Sequence, residues 1–454
     1  MTKTRNMTRR GFLGTSGQII AGISITATVG GIAFRAEAEP KDFLMADGKI
    51  GFGTILPLSG GFTVVSQPWI HAIKYAIEEQ NAAGGVKIGD KSYLIENPVG
   101  DEQYSAQGGL TAARKLMADN VHYSGGYVSV EAPAAVQGIN QQQDHLMVLG
   151  ITGKDLCLTD NKLRFYEYAL AQATGPYMAE YAYSVLGRRK IGSIELANTW
   201  GADFYFSFAK TFEALGGKMV ARGYLQPNQT DFSAQISDMV SQGVDALYII
   251  MGDGPASAVA LQARSGGLGT DVPILAQGAW GPEMYLDAQG KATMDGAVYP
   301  GVVAYTEWSD KHKQLNDKLY ADTKLYLNNW FWHGYDPTKI VLWAMEEAQS
   351  LDPKNVVAAI PAVVEKRAAE LMIKASGAIQ TADKGVFLKI PMTIGRFNAN
   401  ADFANEPALV AVTEEKYVGF PGWMPEKWEG YTANPADGSV NWYPTMDELV
   451  ALRA

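Results

Sequence analysis

The strongest constraint in this sequence is a regular alternation of short apolar runs and amphipathic stretches, separated by glycine-rich turns. Residues 49–56 (KIGFGTIL) form a strand-type run, followed by the loop Pro57-Leu58-Ser59-Gly60-Gly61. Ile70, Ile73 and Ile77, with Ala72 and Ala76, then recur at helical spacing. Asn81-Ala82-Ala83-Gly84-Gly85 closes that helix with the glycine that helix ends favour. A second strand (93–97) and a second helix (105–117) follow. Strands alternating with helices at this pitch predict parallel sheets. After an extended run at 163–170 the pattern restarts, with strands at 190–196, 217–225, 245–251 and 273–276 and helices between them. The chain has 454 residues, too many for one compact core, so two such runs predict two α/β lobes. A long apolar helix after Pro337, within 329–350, is expected to pack on the first lobe's sheet, and 385–397 reads as two short strands.

One stretch inside this pattern carries a ligand argument. Residues 122–153 run HYSGGYVSVEAPAAVQGINQQQDHLMVLGITG. A strand ends in a glycine turn. Ser129-Val130-Glu131-Ala132-Pro133 then opens a helix, and Leu146-Met147-Val148-Leu149 is a buried strand that stops at Gly150-Ile151-Thr152-Gly153. In a parallel sheet both turns fall at the carboxyl ends of their strands, the edge where small ligands bind.

Residues 1–38 read as a targeting segment. Lys3, Arg5, Arg9 and Arg10 precede a modest apolar run (19–34) and the small-x-small pattern Ala36-Glu37-Ala38. Thr8-Arg9-Arg10-Gly11-Phe12-Leu13-Gly14 resembles the twin-arginine export signal, which implies a periplasmic protein exported by that route. The net charge of −10 gives no electrostatic footprint for nucleic acid. The one cysteine, Cys157, forms no internal disulfide, and the five histidines show no metal-binding spacing, so no cofactor or metal is expected. Gly252-Asp253-Gly254 before a helix lacks the lysine and spacing of a phosphate loop.

The motifs, taken in order, resemble the type I periplasmic solute-binding proteins of ABC transporters, in the branched-chain amino acid (leucine/isoleucine/valine) branch. Ile55-Leu56-Pro57-Leu58-Ser59-Gly60 is similar to that family's first strand and P-x-S-G loop. Ile77, Asn81 and Gly84-Gly85 match its IN-x-x-GG helix end. Trp200-Gly201 with a helix ending Leu215-Gly216-Gly217, Thr230-Asp231-Phe232-Ser233 with Ile236, Asp245-Ala246, and Tyr335-Asp336 match further units. The resemblance covers about 49–397 and implies two α/β lobes, each a parallel sheet flanked by helices, hinged by three crossovers. The corresponding division is 1–38 signal peptide, 47–165 and 300–375 lobe 1, 166–299 and 376–400 lobe 2, and 401–454 a C-terminal extension.

Candidate pocket residues follow from the same resemblance. Ser129 and its neighbouring backbone N–H groups would hold a carboxylate at the helix start, although a serine there serves equally as a plain cap. Ile151, Thr152 and Gly153 would offer backbone groups and a hydroxyl to the same ligand end, or form a simple strand-end turn. Trp200 stands where tyrosine is frequent in the family, as a cleft wall or a core residue. Gln277 stands where amino-acid binders carry an acid for the ammonium group, which weakens the case for a zwitterion. Trp280 and Phe62 would add apolar walls.

The implied function is capture of a small amino acid or related solute (a carboxylate, amide or aromatic acid) for an ABC permease and ATPase complex, by a monomer. A ligand-sensing receptor of the same fold is the alternative. An enzyme fits less well, since the sequence has no Gly-x-Ser-x-Gly elbow, cysteine cluster or dinucleotide fingerprint.

Overall fold

A computed structural model describes residues 40–59, 62–150, 159–167, 171–226, 229–278, 292–301, 308–373, 375–381, 383–390, 392–397 and 412–415. In chain order, strand β1 (Ile50–Leu56) leads into helix α1 (Thr63–Ala82), then β2 (Val86–Ile88), β3 (Lys91–Tyr93), β4 (Ile95–Glu96), β5 (Val99–Asp101) and α2 (Ala106–Ala118). Next come β6 (Tyr123–Gly126), α3 (Glu131–Val136), β7 (Leu146–Leu149) and β8 (Arg164–Tyr166). The second run holds α4 (Ala171–Glu180), β9 (Lys190–Leu196), α5 (Thr199–Ala214), β10 (Lys218–Leu225) and α6 (Ser233–Gln242). It continues with β11 (Ala246–Ile250), α7 (Asp253–Ser265), β12 (Ile274–Ala276) and β13 (Val298–Gly301). The last run holds α8 (Asp310–Thr323), α9 (Asn329–Ala348), α10 (Pro353–Arg367), β14 (Gly377–Gln380), β15 (Val386–Lys389), β16 (Thr393–Phe397) and β17 (Val412–Glu415).

The described strands form two large sheets and a small antiparallel pair, β2 with β3. The first has the order β14-β15-β8-β7-β6-β1-β4, with β5 also paired to β1. It is parallel except for β14. The second has the order β10-β9-β11-β12-β13-β16-β17, with β16 antiparallel to both of its neighbours, β13 and β17. The central strands of both large sheets are buried on both faces, which is why β1, β7 and β11 are continuous apolar runs with no polar alternation. The chain passes between sheets three times: after β8, after β13 and after β15. This is the expected pair of parallel-sheet lobes joined by three crossovers.

Helix α9 packs against α1 on the first lobe, as its apolar composition predicts. At this contact α9 carries Gly334, whose backbone comes close to Trp69 and Ala72. The N-termini are capped where the sequence offers a polar side chain: Ser105 Oγ accepts from Gly108 N at 3.0 Å, and Asn198 Oδ1 from Gly201 N at 3.0 Å.

Two boundaries differ from the expected division. Residues 376–400 do not all belong to the second lobe, because β14 and β15 extend the first sheet through parallel pairing of β15 with β8. The Tyr166 and Phe387 rings stack at 4.2 Å, 4° from parallel, and hold that edge together. Only β16 continues into the second sheet. Residues 300 and 301, expected in the first lobe, are part of β13 and therefore of the second sheet. Within the 401–454 extension, Val412–Glu415 adds a strand to β16.

Candidate functional site

The carboxyl ends of the two sheets supply a cleft between the lobes. From the first lobe it is lined by Phe62, Val65, Tyr104, Val128, Val130 and Trp330. From the second it is lined by Leu196, Asn198, Trp200, Gly252 and Gln277. The two walls are close: a Cβ added at Gly252 would lie 3.7 Å from Phe62 Cε1. Each residue sits at the end of a strand, at a strand-to-helix turn or in the first turn of a helix. Phe62 precedes α1, Asn198 caps α5, Gly252 caps α7, and Gln277 follows β12.

The first-lobe wall is aromatic. Phe62 stacks on Tyr104 with ring centroids 3.8 Å apart and planes 5° from parallel. Asp101 holds the loop carrying this pair, accepting from Leu58 N at 2.9 Å and Ser59 Oγ at 3.1 Å. Gln103 and Tyr104 both adopt left-handed backbone, φ 51° and 48°, and Tyr127 does so at 70°. Non-glycine residues in that region carry strain of order 1–3 kcal/mol each and persist only where their surroundings dictate them. Of these, Tyr104 lines the cleft, and Gln103 and Tyr127 directly precede the lining residues Tyr104 and Val128.

The turn after β6 has a consequence for charge. Gly126 (φ 117°) and Tyr127 direct the next two backbone N–H groups to one point. That point is occupied by Glu102 Oε1, 3.0 Å from Val128 N and 2.8 Å from Ser129 N. Glu102 is fully buried, and its Oε2 has no partner among the described residues. Burial pushes its carboxyl up to about 8, against the pull of the Ser129 and Val128 donors. Burial likewise raises the Tyr104 phenol, with Glu131 and Glu102 adding to the effect, so it stays neutral.

The sequence-derived candidates fall into three groups. Phe62, Trp200 and Gln277 line the cleft. Trp200 also packs on Phe204, ring centroids 4.8 Å apart. Gln277 is 7% exposed, and its Oε1 has no partner among the described residues. Ser129 is fully buried, and its Oγ accepts from Ala132 N at 3.1 Å, the capping geometry. The neighbouring backbone donors, Val128 N and Ser129 N, are taken by Glu102. Ile151, Thr152, Gly153 and Trp280 lie outside the described residues.

Sequence reasoning missed Tyr104, Trp330 and Asn198 as wall residues, and Glu102 as the partner of the Ser129 turn. Asn198 had a usable signal, since a cap residue beside Trp200 at a strand end falls on the ligand edge. Trp330 had none, because its apolar run reads as helix packing.

Next to Trp330, whose ring lies 5.6 Å from that of His333, Glu167 and His333 form a buried pair, Oε1 to Nδ1 at 2.8 Å. Burial raises the Glu167 carboxyl and lowers the His333 imidazole to about 3, so both are held neutral. Glu167 directly follows β8 at the first crossover.

The profile of the periplasmic binding protein family matches residues 49–400. Leu/Ile/Val-binding protein homolog 3 of Brucella melitensis is 24% identical over 232 residues, 51% of this chain and 59% of that protein's length. The leucine-, isoleucine-, valine-, threonine- and alanine-binding protein of Pseudomonas aeruginosa is 24% identical over 293 residues, 63% of this chain and 75% of that one. A crystal structure of a leucine-binding protein from Thermotoga maritima aligns with a TM-score of 0.66 and 22% identity, covering 81% of this chain and 97% of its own. At that identity the likeness bears on the fold.

Proposed function

This chain belongs to the periplasmic binding protein family, and from that premise we propose that it is the extracytoplasmic substrate-binding subunit of an ABC importer. It captures a small organic solute between its lobes and delivers it unchanged to a permease and ATPase complex. The observation that carries the reading is the cleft itself, walled by Phe62, Tyr104 and Trp330 on one lobe and by Trp200, Asn198 and Gln277 on the other. Such a site is largely apolar with a few aimed polar groups, as small-molecule sites are. Binding that joins both walls favours the closed arrangement of the lobes. Family membership implies a periplasmic location, and Arg9-Arg10 supports export by the twin-arginine route.

The test is a thermal-shift panel on the purified chain, with branched-chain and aromatic amino acids, aromatic acids, short amides and urea. A ligand at 100 times its dissociation constant adds about 2.7 kcal/mol of stability, a readily measured shift. A panel in which no compound raises the melting temperature counts against solute capture.

A further inference from the structure

We propose that Glu102 sets the class of solute: its carboxyl group fills the backbone N–H pair where a solute's carboxylate would dock. The cleft therefore takes an uncharged molecule with an apolar or aromatic body and a carboxamide-type head. This inference rests on the solute-binding reading above.

The turn at Gly126 and Tyr127 is shaped to hold an anion, with two successive N–H groups aimed at one oxygen. Val128 and Val130, on either side of Ser129, both line the cleft. The acceptor at that turn is already supplied from inside the protein, by a residue of the loop between β5 and α2. A solute carboxylate entering here would find both donors engaged. No lysine, arginine or histidine is present among the described lining residues to neutralise it. A carboxylate moved from water into such a wall loses hydration without a counter-charge. Burial keeps Glu102 protonated near neutral pH, so the site is uncharged as well as filled.

Among the described lining side chains the polar groups are the carboxamides of Asn198 and Gln277, the Tyr104 hydroxyl and the Trp200 and Trp330 indole N–H groups, none of them charged. Asn198 Oδ1 is held by Gly201 N, which turns the Nδ2 donor to the other side of that carboxamide. Gln277 Oε1 is buried and without a partner among the described residues, so it calls for a donor from the ligand. A primary or secondary amide brings one acceptor and at least one donor, the complement of Asn198 and Gln277. A carboxylate brings acceptors alone and leaves Gln277 Oε1 unpaired, which costs on the order of ten-fold in affinity or more. The body of such a solute would meet the stacked Phe62–Tyr104 pair and the Trp200 and Trp330 rings.

Isothermal titration of the purified chain at pH 7 with two matched pairs, benzamide against benzoate and isovaleramide against isovalerate, decides the matter, with leucine as a fifth compound. The expected result is an amide dissociation constant lower than its carboxylate partner's by about ten-fold or more. Glu102→Ala, which frees the two N–H groups, should shift that ratio toward the carboxylates. Glu102→Gln, which keeps an acceptor in place, should retain the wild-type ratio. The wild-type ratio is decisive even if Glu102→Ala does not fold. Carboxylates or leucine binding as tightly as the amides would overturn the role given to Glu102 while leaving solute capture intact. No heat from any of the five would count against both.

Discussion

Glu102 Oε1 lies 2.8 Å from the backbone nitrogen of Ser129, although the two residues come from different strand-to-helix turns of the first lobe. The contact couples the β5–α2 loop, which carries Tyr104, to the β6–α3 turn. It also fixes a pH dependence. The carboxyl is raised from 4.5 to about 8 by burial. Below the unfolded value both states hold the proton. As pH rises from there toward 8, the unfolded chain releases it and the folded chain keeps it, so stability falls with rising pH by about 1.4 kcal/mol per unit from this residue. Asp336, raised to about 6, and Glu195, raised to about 7, act in the same direction. They are common to wild type and variant, so the comparison with Glu102→Gln isolates Glu102. Urea midpoints between pH 5 and 8 should fall less steeply for the variant; parallel curves would show that Glu102 is ionised in the folded protein.

Gly334 is expected to tolerate no side chain. A Cβ there would lie 2.8 Å from Ala72 Cβ, from Trp69 Cδ1 and from Trp69 O. The last is a backbone atom of α1 and does not yield without moving the helix. In an exposed helix, glycine to alanine gains up to about 1 kcal/mol. Here overpacking outweighs that gain, and Gly334→Ala should lose about 1–3 kcal/mol in chemical denaturation. A rise in melting temperature would mean that α1 and α9 are not packed this closely.

Much of the architecture was readable because parallel strands buried on both faces leave unmixed apolar runs, as in Ile50–Leu56 and Ala246–Ile250. Strand β14, and the place of the β14–β15 hairpin in the first sheet, were not. Its placement depends on pairing with Arg164–Tyr166, a contact that no local pattern encodes. The cleft divides in the same way. Phe62, Trp200 and Gln277 stand near strand-to-helix turns, at positions that the family resemblance singles out, and both brought them forward. Glu102 is a polar residue in a loop, and only its burial against the Val128 and Ser129 amides gives it a role.

Export is testable without knowledge of the solute. If Arg9-Arg10 directs the chain to the twin-arginine route, replacing both with lysine should retain the protein in the cytoplasm of a host carrying that pathway. Fractionation and immunoblotting read the result. Periplasmic accumulation undiminished in the double variant would assign export to another route.

Trp200 stands between two roles, and one substitution separates them. Its ring lines the cleft and is only half buried, tilted against Phe204 at 4.8 Å. Helix α5 does not depend on it: Asn198 caps the helix, and Phe204, Phe208 and Phe212 bury its inner face. Trp200→Ala should therefore cost about 1 kcal/mol of stability, in the range of a partly exposed residue. It should weaken solute binding by about 2 kcal/mol, roughly thirty-fold, as loss of an aromatic anchor does. Phe208→Ala supplies the contrast. That ring is fully buried and stacks on Tyr248 at 4.4 Å, so its removal should cost about 3–5 kcal/mol of stability. The Phe208 variant, where folded, should bind the tightest amide of the panel with nearly unchanged affinity. Losses of stability and affinity in equal measure for Trp200→Ala would make it a core residue of the second lobe and take it out of the binding wall.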